Sequence, residues 1–310
     1  MLQQAEAILK KYYGYSSFRE GQARIIASIL QSKDTFAIMP TGAGKSLCFQ
    51  IPALLFPGTT IVISPLISLM KDQIDSLNAL GIPSSFINSS ISPREVASRI
   101  QKAAANEYKL LYIAPERLEV DSFLEMVKSL EVSFIAIDEA HCVSQWGHDF
   151  RPSYRRIGPF IKNLAKRPVA ATFTATATPE VKEDIVKLLA LHDPTLVVTG
   201  FNRENLAFSV IRGENKRDFV IKYLAANPGH SGIIYAATRK EVDQLYTLLS
   251  KKNSTVGKYH AGMSDKERSQ NQEAFLYDDL KIMVATNAFG MGIDKKNVRT
   301  VIPLDPLQPS

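Results

Sequence analysis

The sequence predicts an α/β protein of two domains with mostly parallel, doubly wound sheets. Three observations carry that. Along the 310 residues, short apolar runs of strand length alternate with amphipathic runs of helical period, and strands separated by helices pair in parallel with helices on both faces. The alternation breaks once, across "LHDPTLVVTGFNRENLAFSV" (191–210), and resumes at "DFVIKYLAANPGHSGIIYAA" (218–237). No period of about 20–50 residues recurs, so a solenoid is excluded. The expected domains are 1–205 and 206–310, the first roughly twice as long.

Each element follows from its own residues. "FAIM" (36–39) is a short apolar strand running into a glycine turn and a helix that begins at Lys45. "TTIVIS", "LLYIA", "VSFIAID", "VAATFTAT", "SGIIYAA" and "KIMVAT" read as buried strands. "PLISLMKDQIDSLNAL" and "RKEVDQLYTLLSKK" read as helices. Ser64 is placed to cap the first of these, with Pro65 at the first helical position. Pro115, Thr238 and Thr286 repeat the arrangement after later strands. The final "VIPLDPLQPS" can open as a strand, but Pro303, Pro306 and Pro309 forbid a helix.

Bulk composition narrows the class. The apolar share is 45% and the charged share 22%, as in a soluble globular protein. No run approaches the ~20 apolar residues of a membrane span, and no export leader is visible. The two cysteines, Cys48 and Cys142, form no CxxC pair, so neither a disulfide framework nor zinc is expected, and a reducing cytoplasm fits. The net charge of +6 suits a polyanionic partner.

The chemistry begins at "PTGAGKS" (40–46). Gly42 and Gly44 let the backbone approach a ligand closely, and successive N–H groups at a helix N-terminus form an anion nest. Thr41, Gly42, Ala43 and Gly44 are therefore expected around phosphates. Lys45 would reach the β and γ phosphates, and Ser46 would ligate Mg²⁺. The strict phosphate-loop pattern has a glycine where this chain has Met39. A second strand delivers "DEAH": Asp138 would hold Mg²⁺, directly or through water, and Glu139 would orient and deprotonate the attacking water. Upstream, "GYSSFREGQ" offers a base contact. The Gln22 amide matches the N6/N7 edge of adenine, Tyr15 offers a stacking face, and Arg19 joins them in the nucleotide pocket. Together these imply a nucleoside triphosphatase that uses ATP.

The order "FREGQ", "MPTGAGKS", "VISPLISLMKDQ", "YIAPERL", "DEAH", "FTATAT", "YAATRKEVDQL", "YHAGMSDKER" and "VATNAFGMGIDKKNVR" resembles the superfamily 2 helicases. "DEAHCVSQWGHDFRPSY" and "GFNRENL" narrow the resemblance to the RecQ family of DNA helicases, over nearly the whole chain. The resemblance implies two RecA-like domains with ATP between them, single-stranded DNA across their top, 3′→5′ movement, and tailed duplexes unwound in repair or recombination. A monomer and repair-protein partners are also expected.

The residues support a nucleic-acid track. Strand ends carrying Ser64, Pro65, Thr238, Arg239 and Thr286 offer helix N-termini that bind phosphates without reading sequence. The loop after DEAH sets Trp146, Phe150 and Tyr154 beside His148, Arg151, Arg155 and Arg156, a stacking platform on a charged groove. In the family this loop couples DNA binding to hydrolysis, and His141 is placed to relay the γ-phosphate state to "TATAT".

Where the family continues to a Gln-x-x-Gly-Arg-x-Gly-Arg segment that contacts the γ-phosphate, this sequence reads "PLDPLQPS". The second domain is accordingly expected to be C-terminally truncated and less stable, with Asp294 and Lys295 facing the cleft. The zinc-binding module and winged helix of family members are not in the sequence. The expected chain binds MgATP, hydrolyses it slowly and unwinds poorly. Two other readings stand beside the helicase motor: an ATP- and single-strand-binding module without unwinding, and an RNA-unwinding relative, against which the Trp146 loop argues.

Overall fold

The structure, a computed structural model, describes residues 1–147, 149–200, 206–251, 255–289, 295 and 297–304, with the side chains of 68, 69 and 265 set aside. It forms two compact units, Met1–Arg203 and Glu204–Ser310.

In the first unit the strands are β1 (Thr35–Ile38), β2 (Thr60–Ile63), β3 (Ser84–Ile87), β4 (Leu110–Ile113), β5 (Phe134–Ile137), β6 (Val169–Thr174) and β7 (Thr195–Val198). Among the described residues they make one seven-stranded sheet in the order β3-β4-β2-β5-β6-β1-β7, with every pair parallel. Alternate side chains serve opposite faces. Ile61, Ile63, Ile135 and Ile137 pack in one core layer, and Val62, Phe134 and Ala136 in the other. Burial on both faces is why these strands read as unbroken apolar runs.

Parallel order places the carboxyl ends of β5, β6 and β1 side by side, at the edge where α/β sheets bind ligands. The opposite edge is held by Asp34, just before β1. Its buried carboxylate accepts hydrogen bonds from Arg167 Nη1 at 3.1 Å, from the Ala170 N–H at 2.9 Å and from the His192 N–H at 2.7 Å. The outer strand β3 is closed by side chains. The Asn78 amide pairs with both backbone groups of Ser84, and Arg99 Nη1 donates to the Phe86 carbonyl at 2.7 Å, which leaves less of the edge free for another strand.

In the second unit β8 (Ser231–Tyr235), β9 (Val256–Tyr259), β10 (Ile282–Ala285) and β11 (Val298–Pro303) form a parallel sheet in the order β11-β8-β10-β9. Ile234, Val284, Val242 and Leu245 pack on one face, and Ile233, Met283, Phe275 and Phe289 on the other. Asp278, at φ 71°, gathers Lys295 Nζ at 2.8 Å, Lys281 Nζ at 3.0 Å and both bonds of the Asn297 amide. The Lys295 side chain is only 2% exposed, so it is a staple of this unit and not a group facing a cleft.

Two capping expectations are corrected. The helix after β2 runs Ile67–Ala79 with Leu66 at its N-cap and no side-chain cap, while Ser64 is buried and continues the ladder through its N–H to Ile113. Thr286 follows β10 into a turn closed by the Phe289 N–H, not into a helix among the described residues. Thr238 does cap its helix, Arg239–Ser250, in a capping box with Glu241, and Pro115 opens a short 3₁₀ turn, Pro115–Glu119. No helix among the described residues is long and apolar enough to cross a membrane.

Candidate nucleotide and nucleic-acid site

The glycine turn leaves β1 and enters the helix Lys45–Leu55 at Gly44, whose φ of 82° is a glycine conformation. A Cβ at Gly44 would lie 2.5 Å from the Gln22 amide nitrogen. That contact shows what Gln22 does. Its Nε2 donates to the Ala43 and Gly44 carbonyls at 3.1 and 3.2 Å, and its Oε1 accepts the Arg19 N–H at 2.8 Å. Arg19 Nη1 donates to the Gly42 carbonyl at 3.0 Å. Gln22, expected at the adenine, is 2% exposed, with its amide nitrogen on the glycine turn and its amide oxygen on the Arg19 backbone. The three-residue spacing from Arg19 to Gln22 was the available signal, as in the return half of a capping box. Tyr15 stands exposed just after Gly14, which ends a π-helical turn, Leu9–Tyr13. Thr41 is exposed and Ser46 is half-buried on the first helical turn.

At the end of β5, Asp138 is buried and accepts the Glu139 N–H at 3.0 Å. Burial, with the Glu139 charge beside it, pushes its carboxyl up to about 7, against the opposing pull of Lys45. Glu139 sits at φ 47°, a conformation that stores strain in a non-glycine residue and clusters at functional sites. Its two oxygens face different partners, Lys45 Nζ at 4.0 Å and His141 Nδ1 at 3.3 Å. The Thr174 hydroxyl donates to the Thr176 carbonyl at 2.9 Å, so at 3.0 Å it accepts a proton from His141 Nδ1. Lys45, Glu139, His141 and Thr174 thus meet at the carboxyl ends of β1, β5 and β6. Thr174 had no role of its own in the sequence reading.

The donors around Mg²⁺ would be the Ser46 hydroxyl and the Asp138 carboxylate, an all-oxygen set that suits this hard cation. The fit rests on Asp138: a buried carboxylate against a second one is a charge that a dication relieves. Among the described residues no His/Cys/Asp/Glu cluster has the make-up of a separate metal centre.

The loop after DEAH divides by burial. Trp146 is 76% exposed, and Phe150 is partly exposed with the Arg155 guanidinium 5.2 Å above its ring. Tyr154 is fully buried, and its hydroxyl donates to the Asp138 carbonyl at 2.8 Å. Tyr154 is therefore a brace for the DEAH strand, not part of the platform. Arg151 bonds Asp149 at 3.1 Å and donates to the Pro65 carbonyl at 3.1 Å, joining this loop to the segment after β2. In the second unit Arg239 is exposed beside Thr238, its stem against Gly262. His148 and Asp294 lie outside the described residues.

Residues 19–185 match the DEAD/DEAH box helicase family, and residues 215–308 the helicase conserved C-terminal domain. The chain is 51% identical over 303 residues to the ATP-dependent DNA helicase RecQ of Bacillus subtilis, covering 97% of this chain and 51% of that one. It is 43% identical to ATP-dependent DNA helicase Q5 of Rattus norvegicus, over 94% of this chain and 32% of that one. The chain thus spans about half the length of the bacterial RecQ relatives it matches. In structure it resembles the Mycobacterium smegmatis helicase Lhr bound to single-stranded DNA and AMP-PNP, with a TM-score of 0.73 at 19% identity over 96% of this chain and 43% of that one. It also resembles S. cerevisiae Dbp5 bound to RNA and ADP BeF3, with a TM-score of 0.71 at 21% identity over 98% and 79%. These likenesses show a RecA-like helicase fold.

Proposed function

We propose that this chain, which belongs to the DEAD/DEAH box helicase family, is the ATP-driven motor of a RecQ-type DNA helicase. It would hydrolyse MgATP and move 3′→5′ on single-stranded DNA, opening tailed duplexes in repair or recombination. The observation that carries the reading is the meeting of Lys45 and Glu139, 4.0 Å apart at the carboxyl ends of β1 and β5, which flank β6. The identity with RecQ relatives supports DNA as the polymer. A bacterial-type cytosol or nucleoid, a monomeric motor and repair-protein partners complete the reading.

The geometry orders the chemistry. Phosphate oxygens at the Gly42–Gly44 nest would draw Lys45 away from Glu139. The released Glu139 oxygen would then accept a proton from the attacking water, while the other oxygen stays against His141 Nδ1. Mg²⁺, held by Ser46 and Asp138, would neutralise phosphate charge. Trp146 would stack on a base, and the N-terminus capped by Thr238, with Arg239, would take a backbone phosphate.

Hydrolysis measured with and without oligothymidylate or an oligoribonucleotide tests this. DNA should stimulate more strongly than RNA. Glu139→Gln should still bind MgATP by calorimetry while its turnover collapses, by roughly 10²-fold or more. A Glu139→Gln protein that hydrolyses normally would remove the base from Glu139.

A further inference from the structure

The exposed Trp146 is held at its backbone by a buried hydroxyl. Ser144 is fully buried, and its Oγ donates to Asp184 Oδ2 at 2.7 Å while accepting the Trp146 N–H at 3.1 Å. The Gly147 N–H closes the same turn on the Ser144 carbonyl at 3.1 Å. A Cβ at Gly147 would strike the His141 carbonyl at 2.5 Å, so the turn is pressed against the DEAH segment.

Asp184 lies on another element, the helix Pro179–Leu188, whose N-cap Thr178 ends the "TATAT" run. The same run begins at Thr174, the partner of His141. Trp146 is thus joined to His141 twice, along the chain and through Thr174, the capped helix, Asp184 and Ser144. A hydroxyl bound to a carboxylate is about twice as strong as a neutral pair, which suits a point that must transmit a shift.

We propose that Asp184 is a positioning residue for the Trp146 loop: through the Ser144 hydroxyl it sets the indole according to the state of the His141–Thr174 contact. Nucleotide in the phosphate loop is then felt at the surface that stacks on DNA. This rests on the function proposed above and names the residue that carries its coupling.

Trp146 is the only tryptophan, so its fluorescence reports this loop alone. The chain is titrated with the β,γ-imido analogue of ATP and Mg²⁺, then with oligothymidylate. In the parent, the analogue should change Trp146 emission and shift oligothymidylate affinity by about fivefold or more. Asp184→Ala and Ser144→Ala should bind the analogue as the parent does, yet lose the emission response, with the affinity ratio falling toward one. Asp184→Asn, whose amide oxygen still accepts the Ser144 proton, should recover most of the response; a hydrogen bond needed only for folding would show no such split. If Asp184→Ala unfolds, Ser144→Ala and Asp184→Asn carry the test. A full response in both Asp184→Ala and Ser144→Ala overturns the inference and leaves the function standing. A parent that binds neither analogue nor oligothymidylate overturns both.

Discussion

At the scale of single residues, the site is a set of side chains whose roles are set by what each already holds. Glu139 is kept between Lys45 and His141, so in the proposed mechanism phosphate would compete for the lysine before the base is released. Gln22 Nε2 and Arg19 Nη1 bond the carbonyls of the glycine turn, which preorganises the nest. Trp146 is the reverse case: it is large and apolar, yet its ring has little packing to lose. Trp146→Ala should therefore leave far-UV circular dichroism unchanged and weaken oligothymidylate binding by roughly 1–3 kcal/mol. Should the variant unfold, the ring belongs to the core and the stacking role goes with it.

At the scale of elements, the strand ends are aligned from below as well as above. Asp34 ties β1, β6 and the chain entering β7, which keeps the phosphate loop level with DEAH. Asp34→Ala removes the carboxylate partner of the half-buried Arg167, and stability in urea should fall by roughly 3 kcal/mol. In the second unit, Lys295, then Asn297 and Lys281, hold the Asp278 carboxyl well below the usual carboxylate range. A depressed acid stabilises the fold above its unfolded pKa of about 3.9, and that contribution drains as pH falls further. Hydrogen exchange of the β8 and β10 amides should show this. Lys295→Met should weaken protection at neutral pH and flatten the loss below about pH 4; an unchanged acid profile would dissociate Lys295 from Asp278.

At the scale of the molecule, the net charge of +6 is spread along the sequence without a basic block. Binding to a single strand should therefore depend on a few placed cations. The logarithm of affinity should fall linearly with that of salt, with slope about −0.7 per neutralised phosphate. Arg239→Ala should make that slope shallower by about 0.7, read by anisotropy of a labelled oligothymidylate. A slope that does not move would take Arg239 off the backbone.

What could be read from residue order alone was local. "PTGAGKS" specifies its own turn because positive φ at Gly42 and Gly44 and the lysine after them are properties of adjacent residues. The Thr238–Glu241 capping box lies within one turn of helix, and the strands buried on both faces announce themselves as apolar runs. The strands β3 and β9 did not, because "SSFI" and "VGKY" lie at the sheet edges, where fewer positions must be apolar; β7, "TLVV", lies in the stretch read as the break between domains. Tertiary packing alone decided the rest. Tyr154 became a brace because its hydroxyl meets a strand end, Gln22 turned inward because the glycine turn packs against its helix, and Asp184 met Ser144 across 40 residues. Such partners are chosen by which elements stack together, and that information is carried by the whole chain's burial and not by the spacing of any one segment.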